Sequence, residues 1–120
     1  MKILIVDDSK AMRMIVRRTL RQAGFGHCEI EEAGNGVEAL TSIRSAEPDL
    51  ILCDWNMPEM NGMELLQTMN SEKRSINFGF VTTEGSADMK KNALDSGALF
   101  LITKPFTADT FRDTLTPYLS

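Results

Sequence analysis

The sequence is short of the residues that carry thiol, haem or zinc chemistry. Its two cysteines, Cys28 and Cys53, form neither a C-x-x-C pair nor a zinc spacing. Both sit in apolar, strand-like contexts, which reads as two reduced, mostly buried thiols. One histidine, His27, cannot make the His cluster that zinc or copper sites use. No apolar run approaches the roughly 20 residues of a membrane span, and none near the N-terminus is long enough for a signal peptide. A cytoplasmic protein is therefore expected, with no membrane partner. Positive charge is also in deficit. Thirteen Lys and Arg against seventeen Asp and Glu leave a net charge of −4, which argues against a nucleic-acid partner.

What is present is an alternation of two periods. Residues 3–6 form a continuous apolar run that stops at Asp7-Asp8. From Ser9 the spacing turns helical, with Met12, Ile15, Val16 and Leu20 on one face and Arg13, Arg17, Arg18 and Arg21 turned outward. Ser9 or Asp8 suits the cap of that helix, and Gly24 and Gly26 suit its end. A weaker strand is expected at 28–32, then a turn at Gly34-Asn35-Gly36 and a helix with Val37, Leu40 and Ile43 on one face. A third strand at 50–53 ends at Asp54. A loop containing Pro58 and Asn61-Gly62 leads to a helix bearing Met63, Leu65, Leu66 and Met69. Strands at 78–81 and 99–102 and helices at 87–96 and from 107 to about 117 complete the pattern.

Five strand-then-helix units in 120 residues, with no repeat or linker, imply one α/β domain over residues 1–120. The expected fold is (βα)5, a doubly wound, flavodoxin-like, five-stranded parallel sheet with helices on both faces. Ligands in such sheets bind beyond the carboxyl ends of the strands. Those ends carry Asp7-Asp8, Asp54, Thr82 and Lys104. Taken singly, each reads as well or better as a turn, a cap or a surface lysine. Taken together, one architecture brings all five to one edge. Carboxylates gathered there repel one another and raise each other's pKa. A hard divalent cation relieves that, and Mg²⁺ favours such oxygen ligands. Asp54 can then act as nucleophile toward a phosphoryl group. Lys104 and the metal offset the charge on its oxygens, and the Thr82 hydroxyl can donate to one of them.

These residues stand in a recognisable series. Ile5-Val6-Asp7-Asp8-Ser9, Asn35-Gly36-Val37-Glu38-Ala39-Leu40, Asp54-Trp55-Asn56-Met57-Pro58-Glu59-Met60-Asn61-Gly62, Val81-Thr82-Thr83-Glu84 and Thr103-Lys104-Pro105-Phe106 follow one another in order and register. By these motifs the chain resembles, end to end, the receiver domain of two-component response regulators, and among them a stand-alone chemotaxis receiver. The resemblance implies that Asp54 is the phosphoacceptor. It implies that Asp8, Asp54 and the Asn56 carbonyl ligate Mg²⁺, with Asp7 acting through a bound water. Lys104 would pair with the phosphoryl group and Thr82 would be the switch hydroxyl. The donor would be a phosphohistidine on a partner histidine kinase, acting in trans because His27 reads as a surface residue.

The same resemblance implies a monomeric switch rather than an enzyme, limited to self-phosphorylation from a donor and autodephosphorylation. Its output would be a downstream target protein, such as a flagellar motor switch or another effector. The readout surface would be the helix after Thr82, the fifth strand and the last helix, where Lys90, Lys91 and Phe106 lie. One departure is Leu101, where many receivers carry a Tyr or Phe; Phe100 is expected on the opposite face.

Two other readings compete. Gly34-Asn35-Gly36-Val37-Glu38-Ala39 matches the dinucleotide-binding G-x-G-x-x-A, but it follows a polar second strand rather than a buried first one. A Mg²⁺-dependent phosphatase working through an aspartyl-phosphate shares the chemistry, yet the short chain offers no cap domain.

Overall fold

The computed structural model describes residues 1–119; Ser120, the last residue of the expected domain, lies outside them. The apolar runs become strands at Lys2–Val6 (β1), Glu29–Ala33 (β2), Leu50–Cys53 (β3), Asn77–Thr82 (β4) and Phe100–Thr103 (β5). Helices at Lys10–Leu20 (α1), Gly36–Ser45 (α2), Gly62–Ser71 (α3), Ala87–Asp95 (α4) and Ala108–Leu119 (α5) follow them in turn. All strand pairs are parallel, in the order β2-β1-β3-β4-β5. The doubly wound (βα)5 sheet expected from the sequence is the fold observed.

Strand alternation divides the core in two. Leu4 and Val6 of β1 face one cluster, which α2, α3 and α4 close with Leu40, Ile43, Leu65, Met69 and Ala93. Ile3 and Ile5 face the other, which α1 and α5 close with Val16, Leu20, Phe111 and Leu115. Burying one such large side chain contributes roughly 1.5–3 kcal/mol. A one-residue slip would exchange the two sets, so two-sided burial fixes the register that positions the strand ends.

Side-chain caps set where the helices start. Ser9, Asn35, Asn61 and Ser86 each accept a hydrogen bond from a backbone N–H three residues on. Asn61 and Glu64 complete a reciprocal capping box. Beyond α1 the chain makes a π-helical turn, Arg21–Phe25, in which Gly24 takes the left-handed region at φ 99° and turns the chain out of the helix.

Several local expectations are corrected. Ile15 and Val37 are exposed, at 37% and 49%. The buried face of α1 is narrower than its apolar spacing, running through Val16, Thr19 and Leu20. Val37 lies in the first turn of α2, before the buried run of Ala39, Leu40 and Ile43 begins. Pro117, near which the last helix was expected to end, is not its last residue. It sits inside α5, where its missing N–H forfeits one bond, and burial of Leu119 together with packing of Tyr118 carries the helix on. Both cysteines are buried and free.

Candidate functional site

β1 lies between β2 and β3, so the chain order reverses there and a crevice opens above the ends of β1 and β3. Val6 is level with Cys53, and the Asp54 N–H donates to the Val6 carbonyl at 2.9 Å. Asp7 and Asp54 therefore leave the sheet side by side. Asp8 follows directly. Oxygen atoms of Asp7, Asp8 and Asp54 lie within 4.8 Å of one another. Lys104 joins them from the end of β5, anchored by its own N–H on the Thr82 carbonyl at 2.8 Å.

Each carboxylate has its own surroundings. Asp7 is buried, at 3% exposure. Its Oδ1 accepts the Ser9 N–H at 2.9 Å and its Oδ2 accepts Lys104 Nζ at 3.0 Å. Asp54 is half-buried; its Oδ1 accepts the Trp55 N–H at 2.8 Å and its Oδ2 lies 3.6 Å from Lys104 Nζ, an ion pair longer than a hydrogen bond. Burial pushes the Asp54 carboxyl above the usual range; the Lys104 charge opposes this and the Asp7 charge adds to it. Asp8 is exposed. Below them, burial and then the neighbouring Asp54 and Asp7 charges push the Cys53 thiol well up, so it stays protonated and inert.

The donor set fits a hard divalent cation. It is all oxygen, and the exposed Asp8 leaves water access for the remaining ligands. Three carboxylates and one ammonium leave two excess negative charges, the charge of one Mg²⁺.

The other expected residues frame this group. Thr82 ends β4 fully buried, and its Oγ1 accepts the Glu84 N–H at 3.3 Å. Among the described residues its side chain bonds none of the three carboxylates. Asn56 is exposed in the loop after β3, where its amide donates to Glu84 Oε1 at 3.1 Å and links the loops after β3 and β4. Gly62 opens α3 hard against Asp54: a Cβ there would lie 2.3 Å from the Asp54 carbonyl oxygen. Leu101 packs on the α3–α4 side, while Phe100 lies on the opposite face beside Tyr118, as the alternation predicts.

Arg13 was not foreseen. Helical spacing turns it outward with Arg17, but the end of β2 lies on that side. Its Nη1 donates to the Asp7 carbonyl at 2.6 Å and its Nε to Glu32 Oε1 at 2.9 Å. Glu32 also accepts from Arg17 Nη2 at 2.9 Å. Partial burial works against the charged Glu32, but the bonds from Arg13 and Arg17 outweigh it and hold its carboxyl below the usual range. The charge of Glu32 on a strand edge facing α1 was the available signal.

Comparison with known proteins agrees with this geometry. Residues 3–116 match the family model described as response regulator receiver domain. A chemotaxis protein CheY homolog of Campylobacter jejuni is 40% identical over 118 residues, covering 96% of this chain and 89% of that protein. Chemotaxis protein CheY1 of Helicobacter pylori is 39% identical, covering 96% and 94%. The crystal structure of chemotaxis protein CheY4 of Vibrio cholerae superposes with a TM-score of 0.84 at 38% identity, covering 98% of each chain. With both the sheet order and this family match in hand, the chain belongs to the CheY-like receiver domains of response regulators.

Proposed function

We propose that the chain is a phosphorylation-driven switch that takes a phosphoryl group from the phosphohistidine of a histidine kinase onto Asp54. The observation that carries this is the single cluster of Asp7, Asp8, Asp54 and Lys104 at the sheet's switch point. Mg²⁺, held by Asp7, Asp8, Asp54 and the Asn56 carbonyl, would supply charge neutralisation for the phosphoryl oxygens. An Asp54 carboxylate oxygen forms the new O–P bond as the donor's P–N bond breaks, and the electron pair leaves on the imidazole nitrogen. Lys104, 3.6 Å from Asp54 Oδ2, stands ready to pair with the incoming oxygens. Water later cleaves the acyl phosphate and restores the carboxylate, so the chain turns over its own phosphate and is not otherwise an enzyme.

Phosphorylation adds nearly two negative charges and strong acceptor oxygens. Lys104 and the Thr82 hydroxyl gain a partner only in that state. Drawing them in moves the loops after β4 and β5 and shifts the population of two states. The readout face is then α4, β5 and α5, where Lys90, Lys91 and Leu94 are exposed. The chemotaxis names of the relatives favour a flagellar motor switch or similar effector as target, with the protein acting as a cytoplasmic monomer. No helix among the described residues is long and apolar enough to cross a membrane. The family match lends no support to the phosphatase reading.

The test is transfer from a histidine kinase autophosphorylated with ATP, followed on a phosphate-affinity gel. Transfer to the chain with Mg²⁺ and none with EDTA is expected. Equal transfer in EDTA would remove the metal from the account.

A further inference from the structure

Asp8 is the least supported of the three carboxylates. Its side chain is exposed, and among the described residues it accepts no hydrogen bond. With no side-chain partner, the point from which its carboxylate projects is set by the backbone that carries it. A peptide unit is planar, so fixing the Asp7 carbonyl fixes the plane that leads into the Asp8 Cα. That carbonyl accepts the 2.6 Å bond from Arg13 Nη1. A charged donor at this distance makes a strong bond.

Arg13 is itself held on three sides. Its backbone N–H donates to the Ser9 carbonyl at 3.0 Å, its Nε pairs with Glu32, and its side chain is only 16% exposed. Glu32 lies on β2 level with Ile5 of β1. One side chain thus fastens α1, the end of β2 and the peptide immediately before Asp8.

We propose that Arg13 is a positioning residue for divalent-cation binding, acting through the Asp7–Asp8 peptide to aim the Asp8 carboxylate. This rests on the Mg²⁺ reading of the acidic cluster. The proposal has a sign that a simple charge effect lacks. A guanidinium bonded to the peptide between Asp7 and Asp8 repels a cation held there, so deleting it as a charge tightens Mg²⁺ binding. Deleting it as a support loosens binding.

The experiment is calorimetric titration of the full chain with MgCl₂. The proteins are wild type, Arg13→Met, Arg13→Lys and Arg17→Met, with thermal melts in EDTA to confirm folding. Arg17→Met removes the other cation on Glu32 without touching Asp7, and so serves as the control. Arg13→Met is expected to weaken Mg²⁺ binding roughly tenfold. Arg13→Lys should recover part of the loss, and Arg17→Met should bind as tightly as wild type or more so. Unchanged or tighter binding by Arg13→Met overturns the proposal, as does an equal loss in Arg17→Met. If Arg13→Met does not fold, Glu32→Gln keeps the guanidinium but loosens its hold. It should weaken Mg²⁺ binding by a smaller factor, and unchanged affinity there also overturns the proposal. A wild type that takes up no Mg²⁺ is a different failure: it removes the metal reading itself, and this proposal with it.

Discussion

Lys104 Nζ lies closer to Asp7 than to Asp54, at 3.0 Å from Asp7 Oδ2 and 3.6 Å from Asp54 Oδ2. In this state the ammonium is engaged mainly by the buried Asp7 carboxylate. A phosphoryl group on Asp54 would bring better acceptors to the same ammonium, which makes Lys104 a movable partner shared between two acids.

Removing that ammonium leaves Asp7 charged in the interior with only the Ser9 N–H. Breaking one side of a buried pair costs about 3 kcal/mol. Lys104→Met is therefore expected to lower stability by about that amount in urea denaturation. The same variant should bind Mg²⁺ more tightly, because a competing cation has gone. Unchanged stability would show that water already screens the pair.

The Asp54 carboxyl titrates above its ordinary value, with burial as the main cause. The unfolded chain then ionises first as pH rises. This group's contribution to stability is fully present below its unfolded pKa and is lost as pH rises through the folded pKa. Asp54→Asn escapes that loss. In EDTA its melting temperature should exceed that of wild type at neutral pH, with the gap shrinking as pH falls through the raised folded pKa and closing by the ordinary carboxyl value of 3.8. A gap independent of pH would assign the effect to packing instead.

Gly62 allows α3 to begin directly beneath Asp54. A Cβ there would meet the Asp54 carbonyl oxygen at 2.3 Å and the Phe80 ring at 2.7 Å. Gly62→Ala is expected to cost about 2 kcal/mol through overpacking and to slow phosphorylation by shifting Asp54. Calorimetry and the rate of phosphoryl uptake would check the two effects separately.

Metal removal has a stability signature of its own. Mg²⁺ at a hundred times its dissociation constant should stabilise the fold by about 2.7 kcal/mol. Melting curves with Mg²⁺ and with EDTA should differ for wild type and converge for Asp8→Asn. A shift that survives the Asn substitution would place the cation elsewhere.

Much of this was legible in the sequence, because strands buried on both faces announce themselves as apolar runs that stop at polar residues. Asp7, Asp8, Asp54 and Lys104 were found by that punctuation alone, and the structure brings them together. Thr82 was placed correctly at the end of β4, but its bond to the Glu84 N–H depends on loop geometry that spacing does not encode. Arg13 was missed because a helical projection separates inside from outside and cannot show that a neighbouring strand edge occupies part of the outside. Val37 was misjudged, and the end of the last helix was set a little early, for a related reason. Apolar character and proline chemistry are local, whereas the burial of Ala39 and Leu119 is decided by what packs against them.

The central claim is that Asp54 takes the phosphoryl group with the help of a divalent cation. Intact-mass measurement after incubation with acetyl phosphate and Mg²⁺, beside Asp54→Asn, tests it most directly. One added phosphoryl group is expected on the wild type, none after prior EDTA, and none on the variant. An unmodified wild type, or an adduct that persists on Asp54→Asn, would contradict the account.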